Sequence, residues 1–370
     1  MLLKSAVFDN FRNIEHQVFE FSPSMTILYG KNAQGKTNVI EGIYMFAGGK
    51  SFRHAKDADL RRFDSDITQV AISFEGCSRE NKMTLRYSGA GKKELFSNGA
   101  KVPRISEFIG KFKAVLFCPS HLSIVQADPA VRRSFIDGAI SQLKPKYLAA
   151  LYEYQKTVEQ RNALLRNYER NPVGFDMMFD VVSESMARLA AYITAERCVY
   201  LNQLFGTAEG IIADMSFGRD MIGYVYQTSI GSGELYNEKE NFEAYMQAIS
   251  KYKEKEKIVG TSLIGAQRDD FEILLGGMSA KTFASQGQQR SIALSLKLAE
   301  GEISRNDIGE YPVFLFDDVL SELDRERKNY VLSNLRDRQV IVTTCDESDF
   351  SGIDDSTRIY VENGRYKYID

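Results

Sequence analysis

Apolar and polar side chains alternate over residues 2–21, with Val7, Phe8 and Phe11 and then Val18, Phe19 and Phe21 among the apolar positions. That period of two predicts two strands, joined at Asn10-Phe11-Arg12-Asn13. The turn Ser22-Pro23-Ser24 leads to a short β-prone run, Met25-Thr26-Ile27-Leu28-Tyr29, and beyond it Val39, Ile43 and Phe46 share one helical face. The runs 69–74, 82–87 and 94–97 are separated by turns at Ser88-Gly89-Ala90-Gly91 and Asn98-Gly99, which predicts a β-meander. Cys118-Pro119-Ser120 ends a buried strand at 114–117.

From 144 to 205 the spacing changes to threes and fours. One stripe is Tyr147, Leu151, Tyr154, Val158, Arg161, Leu165 and Tyr168; the other is Val182, Met186, Leu189, Ile193, Glu196 and Tyr200, with the breaker Asn171-Pro172-Val173-Gly174 between them. These stripes predict an antiparallel helical hairpin with a seam of a few heptads, packing before anything else. Residues 211–230 read as strand with glycine breaks. Residues 235–258 read as a charged helix whose tail, Lys251-Tyr252-Lys253-Glu254-Lys255-Glu256-Lys257, alternates in sign like a solvated face. Helices at 291–300 and 325–337, a buried strand at 339–344, and a terminal hairpin (358–361 and 365–369, turning on Asn363-Gly364) complete the pattern.

Between the run at 25–29 and the first helical face stands Gly30-Lys31-Asn32-Ala33-Gln34-Gly35-Lys36-Thr37, followed by Asn38. It matches G-x-x-x-x-G-K-[ST] at every fixed position, in the strand–loop–helix context the motif needs. Such a loop turns consecutive backbone N–H groups toward phosphate oxygens, and the next helix adds its positive end. The expected cofactors are ATP and Mg²⁺, with Lys36 reaching the β- and γ-phosphates and the Thr37 hydroxyl on the metal. The competing reading is a chance match on a glycine turn, against which the flanking elements weigh. Tyr311-Pro312-Val313-Phe314-Leu315-Phe316-Asp317-Asp318 is a buried parallel-type strand ending in two acids. Next to the phosphate-loop strand, it would set Asp317 on the metal and Asp318 as general base to the attacking water. The bland alternative is a helix N-cap and its neighbour. Upstream, Ser285-Gln286-Gly287-Gln288-Gln289-Arg290 opens an apolar helix, with Ser285 as a good N-cap and Gly287 allowing close backbone approach, so the loop could present a second helix N-terminus to a phosphate; a plain N-cap is the alternative, though capping needs only one such residue. Lys50, Arg53, Lys56, Arg61 and Arg62, interleaved with Phe52 and Phe63, make a candidate nucleic-acid face; a solvated loop against nucleotide or a partner subunit fits them at least as well.

Composition narrows the classes. At 370 residues there is room for two or three domains, and 44% hydrophobic with 26% charged residues is an ordinary globular balance. With no apolar run of bilayer length and no leader pattern, the expectation is a cytoplasmic protein with no membrane partner. Cys77, Cys118, Cys198 and Cys345 are scattered and read as buried small hydrophobes; His16, His54 and His121 are scattered too and give zinc no footing. A net charge of −3 and a pI near 5.9 exclude a protein that coats nucleic acid along its length, so any DNA contact must come from a local patch.

A phosphate loop, a long insert, S-Q-G-Q-Q-R at 285–290, F-L-F-D-D at 314–318 and S-E-L-D at 321–324, in that order, resemble the ABC-type head ATPases, which include the SMC and Rad50-like proteins. Ser51-Phe52-Arg53, Asp128-Pro129-Ala130-Val131-Arg132-Arg133 and Arg268-Asp269-Asp270 extend the resemblance, end to end, to the RecF family of bacterial recombination mediators. The implied fold is α/β: a P-loop ABC/SMC-type head with a two-lobed mixed sheet and helices, plus a short α-helical hairpin arm. The head lobes would be residues 1–130 and 259–370, and the arm 131–258. The resemblance implies a homodimer that forms on ATP binding. Ser285, Gln286, Gly287 and Gln288 would reach the γ-phosphate in trans, Ser321, Glu322 and Asp324 would form a D-loop at the dimer seam, and Arg12 and Asn13 would lie near the nucleotide. It also implies a weak, DNA-stimulated ATPase that binds double-stranded and gapped DNA and works with RecR, RecO and RecA. Departures from related heads are Asp318 in place of glutamate, which predicts slow hydrolysis; Pro119, Ser120 and His121 where a Q-loop glutamine is expected, with Gln126 the nearest; Thr343-Thr344 in place of a switch histidine; and Gln267 where the family pattern has histidine.

Two other classes share the phosphate loop. A transport-type ATPase driving a membrane or other macromolecular partner fits the loops but not the helical insert or the missing switch histidine. A monomeric small-molecule kinase gives no reason for the signature loop or the D-loop.

Overall fold

Strand alternation at the N-terminus is realised as Leu2–Phe11 and Ile14–Glu20, whose inward positions Leu3, Ala6, Phe8, Phe11, Ile14 and Phe19 are all buried. The computed structural model describes residues 1–63, 65–88, 92–168, 174–231, 235–346, 350 and 355–369. They form an α/β protein in two units: Met1–Ser123 with Asp214–Phe217 and Gln286–Asp370, and Ile124–Ala213 with Gly218–Ser285.

The first unit holds two six-stranded sheets. One is the antiparallel meander, in the order Ile14–Glu20, Leu2–Phe11, Ile67–Gly76, Arg79–Ser88, Lys92–Ser97, Ala100–Val102. The Asn98-Gly99 turn pairs Ser97 with Ala100 as expected; of the turn at 88–91, residues 89–91 lie outside the described ones. The other is mixed, in the order Arg365–Ile369, Ser356–Glu362, Met25–Tyr29, Val340–Thr344, Val313–Asp317, Ala114–Phe117, parallel except for the terminal hairpin. Its inner strands are continuous apolar runs because both faces are covered. One expectation needs correction here. The acid-ended strand is not next to the phosphate-loop strand, since Val340–Thr344 lies between them. The helix Lys36–Gly48 packs against both Val340–Thr344 and Val313–Asp317, and its first turn carries Thr37 across the gap.

The second unit is built on the helices Pro129–Leu143, Pro145–Arg166, most of Phe175–Ser216, and Glu238–Val259, with a small sheet of Met278–Ser279, Asp270–Leu275 and Ile222–Gln227. Lys144 bonds Glu196 at 2.5 Å and Arg161 bonds Ser183 at 2.8 Å, so the first and second stripes run antiparallel. The breaker residues 171–173 between them lie outside the described ones. The pair is not a two-helix seam, however. Glu238–Val259 packs in as a third helix, with Tyr245 on Thr194 at 2.8 Å and Asn241 on Leu235 and Ala191 backbone oxygens. Residues 211–216 are helical, not strand: the buried Ile212 continues the helical face, and the helix stops only at Phe217-Gly218, both with positive φ. The alternating-sign tail is not wholly solvated either. Glu256 is 0% exposed and receives Arg161 Nη2 at 2.6 Å, while Arg161 also donates to Ser262 at 2.7 Å. No helix among the described residues is long and apolar enough to cross a membrane.

Removing one partner of a fully buried ion pair strands the other charge, at a cost of about 3–5 kcal/mol. Glu256→Ala is therefore expected to destabilise the second unit by about that amount in urea denaturation. Arg161→Met combined with Glu256→Leu should recover most of the loss, since neither charge is then left alone.

Candidate functional site

The phosphate loop leaves its strand at Gly30, whose φ of +147° brings it so close to the neighbouring strand that a Cβ would stand 2.3 Å from the Val361 carbonyl oxygen. Only glycine fits there. Inside the loop the buried Lys36 ammonium donates to Gly30 O at 2.5 Å and Lys31 O at 2.9 Å. Asn13 Nδ2 donates to Gln34 O at 3.1 Å, and Asn38 Nδ2 to Asn13 Oδ1 at 2.7 Å, so Asn13 links the loop to the first turns of the helix that follows it.

Thr37 Oγ1 donates to Asp317 Oδ1 at 2.8 Å, and Thr343 Oγ1 to the same oxygen at 3.0 Å. Three separate stretches of chain thus meet on one carboxylate that is 6% exposed. Burial pushes the Asp317 carboxyl above the usual aspartate range; the two hydroxyl bonds pull it back, and the neighbouring Asp318 raises it again. Asp318 is not a helix cap. Its backbone is left-handed (φ +55°), its N–H donates to Thr343 Oγ1 at 3.0 Å, and Ser321 Oγ donates to its carbonyl at 2.9 Å and its carboxylate at 3.2 Å.

Cys345 enters this site unannounced. Its exposed thiol lies 2.7 Å from Asn32 Oδ1, 3.7 Å from Lys36 Nζ and 3.8 Å from both Asp318 carboxylate oxygens. The expectation that all four cysteines are buried is wrong for Cys345 and Cys77, both exposed; Cys118 and Cys198 are buried. Hydropathy marks a cysteine as apolar and says nothing of its falling one residue past the end of a strand, as Cys345 does after Val340–Thr344.

Glu41, which sequence reasoning missed, organises the next ring of residues. It is 0% exposed and binds Arg12 bidentately at 2.9 and 2.7 Å, Ser51 Oγ at 2.5 Å and Arg53 at 3.7 Å. The signal was present: Glu41 falls four residues after Thr37, on a helix otherwise lined with apolar side chains. Arg12 is fully engaged by Glu41 and the Asp59 carbonyl. Of the candidate DNA-facing residues, Lys50 and Lys56 are exposed, Arg53 bonds Asn38 at 3.2 Å, Arg61 is half-buried, and Arg62 pairs with Glu15 at 2.9 Å.

Gln286, Gly287 and Gln288 form the first turn of the helix Gln286–Ile308, and Ser285 precedes it. Arg327 lies against Gly287, donates to Ser291 Oγ at 2.8 Å and pairs with Asp324, which also caps the helix Arg325–Asn334 through the Arg327 N–H at 3.0 Å. Ser321 and Glu322 are exposed beside it. In the Q-loop region the His121 ring bonds Leu116 O at 2.9 Å, and burial with the nearby Lys297 charge pushes it down to about 3, so it stays neutral. Gln126 Nε2 donates to Lys281 O at 2.8 Å. In the second unit Arg132 is buried and bidentate on Asp270 at 2.7 and 2.6 Å, and Arg133 donates to Asp269 O at 2.7 Å. Both arginines of the 128–133 stretch are thus committed to the Arg268-Asp269-Asp270 stretch. Gln267, in the histidine position, bonds Tyr154 OH and donates to Ile264 O at 3.0 Å.

The family described as the RecF/RecN/SMC N-terminal domain matches residues 2–367. A DNA replication and repair protein RecF from an Exiguobacterium species is 38% identical over 345 residues, 93% of this chain and 92% of its own length; the RecF protein of Halalkalibacterium halodurans is 36% identical over 99% of both. Among solved structures, the recombination mediator protein RecF-ATP in the RecFOR pathway superposes with a TM-score of 0.93 at 33% identity, covering 100% of this chain and 98% of that one. The Smc head domain of Pyrococcus furiosus, at 16% identity and a TM-score of 0.56, shares the fold. Matched along nearly its whole length by sequence and by structure, the chain belongs to the RecF family of SMC-like head ATPases.

Proposed function

We propose that this chain is an ATP-dependent DNA-binding protein of recombinational repair and replication, in which ATP closes a homodimer and slow hydrolysis reopens it. The observation that carries the reading is the 2.8 Å bond from Thr37 to Asp317, which joins the phosphate loop to the acid-ended strand across an intervening strand. A P-loop lysine, a P-loop hydroxyl and a buried carboxylate are the parts that nucleotide hydrolysis needs. Lys36 would neutralise the β- and γ-phosphates. The oxygen donors Thr37 and Asp317 suit a hard divalent cation such as Mg²⁺, which would offset the charge on the phosphates. The raised Asp317 carboxyl fits this, because a buried acid short of positive charge is stabilised by a cation. Asp318, one residue on and held by Ser321, would orient and deprotonate the attacking water; its short side chain predicts slow turnover. Ser285, Gln286, Gly287 and Gln288 would complete the partner's site in trans, with Ser321, Glu322 and Asp324 at the seam and residues 131–258 as an arm. The closed dimer would bind double-stranded DNA beside single-strand gaps and act in the cytoplasm with RecR, RecO and RecA.

Asp318→Asn keeps the metal ligand and slows hydrolysis, so sedimentation velocity should show a monomer alone and a dimer with MgATP. A monomer under both conditions would remove the trans-acting loop from the mechanism.

Asp317→Asn retains both hydroxyl bonds and removes the desolvated charge. A carboxyl raised by folding contributes fully below the ordinary aspartate range, about 3.9, and loses that contribution as pH rises through its raised value. The variant should therefore melt about 2–4 °C higher at pH 7 without nucleotide, with the gain shrinking as pH is lowered toward about 4, while ATP-driven dimerisation is abolished.

N-ethylmaleimide should modify both exposed thiols, Cys77 and Cys345. At ten times the dissociation constant, MgATP should slow labelling of Cys345 about tenfold and leave Cys77 unchanged. Equal Cys345 labelling with and without MgATP would mean that the nucleotide does not sit on this loop.

A further inference from the structure

Ala33, in the middle of the phosphate loop, holds a φ of +64°, a left-handed backbone that a residue with a Cβ keeps only when its surroundings impose it. The restraint comes from the opposite end of the chain. Gln34 Nε2 reaches back over Ala33 to Asn32 O at 3.3 Å, and Gln34 Oε1 accepts the Asn363 N–H at 2.6 Å. The Gly364 N–H donates to Gln34 O at 3.1 Å, where Asn13 Nδ2 also arrives. Two residues on, Tyr366 OH donates to Gly35 O at 3.2 Å, at the last glycine before Lys36. Asn363 and Gly364 have φ of +51° and +71°, the two-residue turn that closes a hairpin unaided, with Glu362 opposite Arg365. The hairpin does not need Gln34; its turn N–H groups are surplus to it and are spent on the loop. Close approach is built in, since a Cβ on Gly364 would stand 2.8 Å from Asn13 O.

We propose that the C-terminal turn at Asn363-Gly364, together with Tyr366, is a brace that fixes the phosphate loop in its nucleotide-receiving shape, with Gln34 and Tyr366 as positioning residues. Neither role follows from the loop motif, in which the residue at 34 is unspecified. The brace acts before nucleotide arrives. It removes loop conformations that binding would otherwise have to freeze out, so its loss appears as weaker ATP binding. This inference rests on the nucleotide reading above.

The test is equilibrium binding of a fluorescent ATP analogue, with Mg²⁺, to the full chain and to Tyr366→Phe and Gln34→Ala, with melting temperatures measured alongside. Tyr366→Phe keeps the ring that packs edge-on against Phe19 at 4.8 Å and deletes only the hydroxyl. Losing one hydrogen bond should weaken binding about fivefold, and losing the Gln34 side chain about tenfold. The melting temperature should stay within about 2 °C of the parent, and the steady-state deficit should lie in KM and not in kcat. Parent-like affinity in both variants would overturn the brace, as would an affinity loss that merely tracks a fall in melting temperature. Failure of the parent chain itself to bind the analogue would overturn the nucleotide reading and the brace with it.

Discussion

The carboxylate of Asp317 is the constraint around which the head is arranged. It is buried, shares one oxygen between the hydroxyls of Thr37 and Thr343, and has Asp318 beside it. Bringing these groups together requires three parallel strands whose carboxyl ends share one edge, and a helix that starts there and crosses beneath them. The strand order follows. Val340–Thr344 sits between the other two because it supplies Thr343 from the middle. The long apolar runs follow as well, since strands covered on both faces have no polar face to show.

A second buried acid shows what is special about the first. Glu41 is more deeply buried, yet it is met by a bidentate arginine, a serine hydroxyl and a second arginine. That is how a protein makes a buried charge tolerable for structural purposes. Asp317 bonds two neutral hydroxyls and has a like charge beside it, with Arg53 acting on it through space and no arginine bonded to it among the described residues. On the proposed reading, a cation would supply the positive charge that this carboxylate, unlike Glu41, does not get from a bonded arginine.

The phosphate loop, the acid-ended strand, the helix opened by Ser285-Gln286 and the meander were all legible in the sequence, because each is a local pattern: fixed spacing, a capping residue, a period of two, or a turn dipeptide. What was not legible depends on which distant residues meet. Strand adjacency was misplaced by one because apolar runs carry no register. Glu256 looked solvated in a row of alternating charges, and only the third helix, by bringing it against Arg161, buries it. Residues 211–216 looked like strand because short apolar runs with glycine fit either element, and burial of Ile212 on a helix decides between them. Cys345 and the hold of the C-terminal turn on Gln34 were invisible for the same reason, their partners being up to 329 residues away.

The charge inventory bears on how DNA would be held. Arg62 is paired with Glu15, Arg53 leans on Asn38 and Glu41, Arg12 is locked on Glu41, and Arg132 is spent on Asp270. Of the five candidate positions, Lys50, Arg53 and Lys56 are exposed and Arg61 is half-buried, on a chain whose net charge is −3. Affinity for a phosphate backbone grows with the number of phosphates neutralised, so a few lysines on one copy are weak where two copies acting on one duplex are not. On the proposed reading the low charge of the monomer is thus functional. It would keep an open form off DNA and would make binding conditional on whatever joins two chains, a role for which a nucleotide held between incomplete half-sites would be suited.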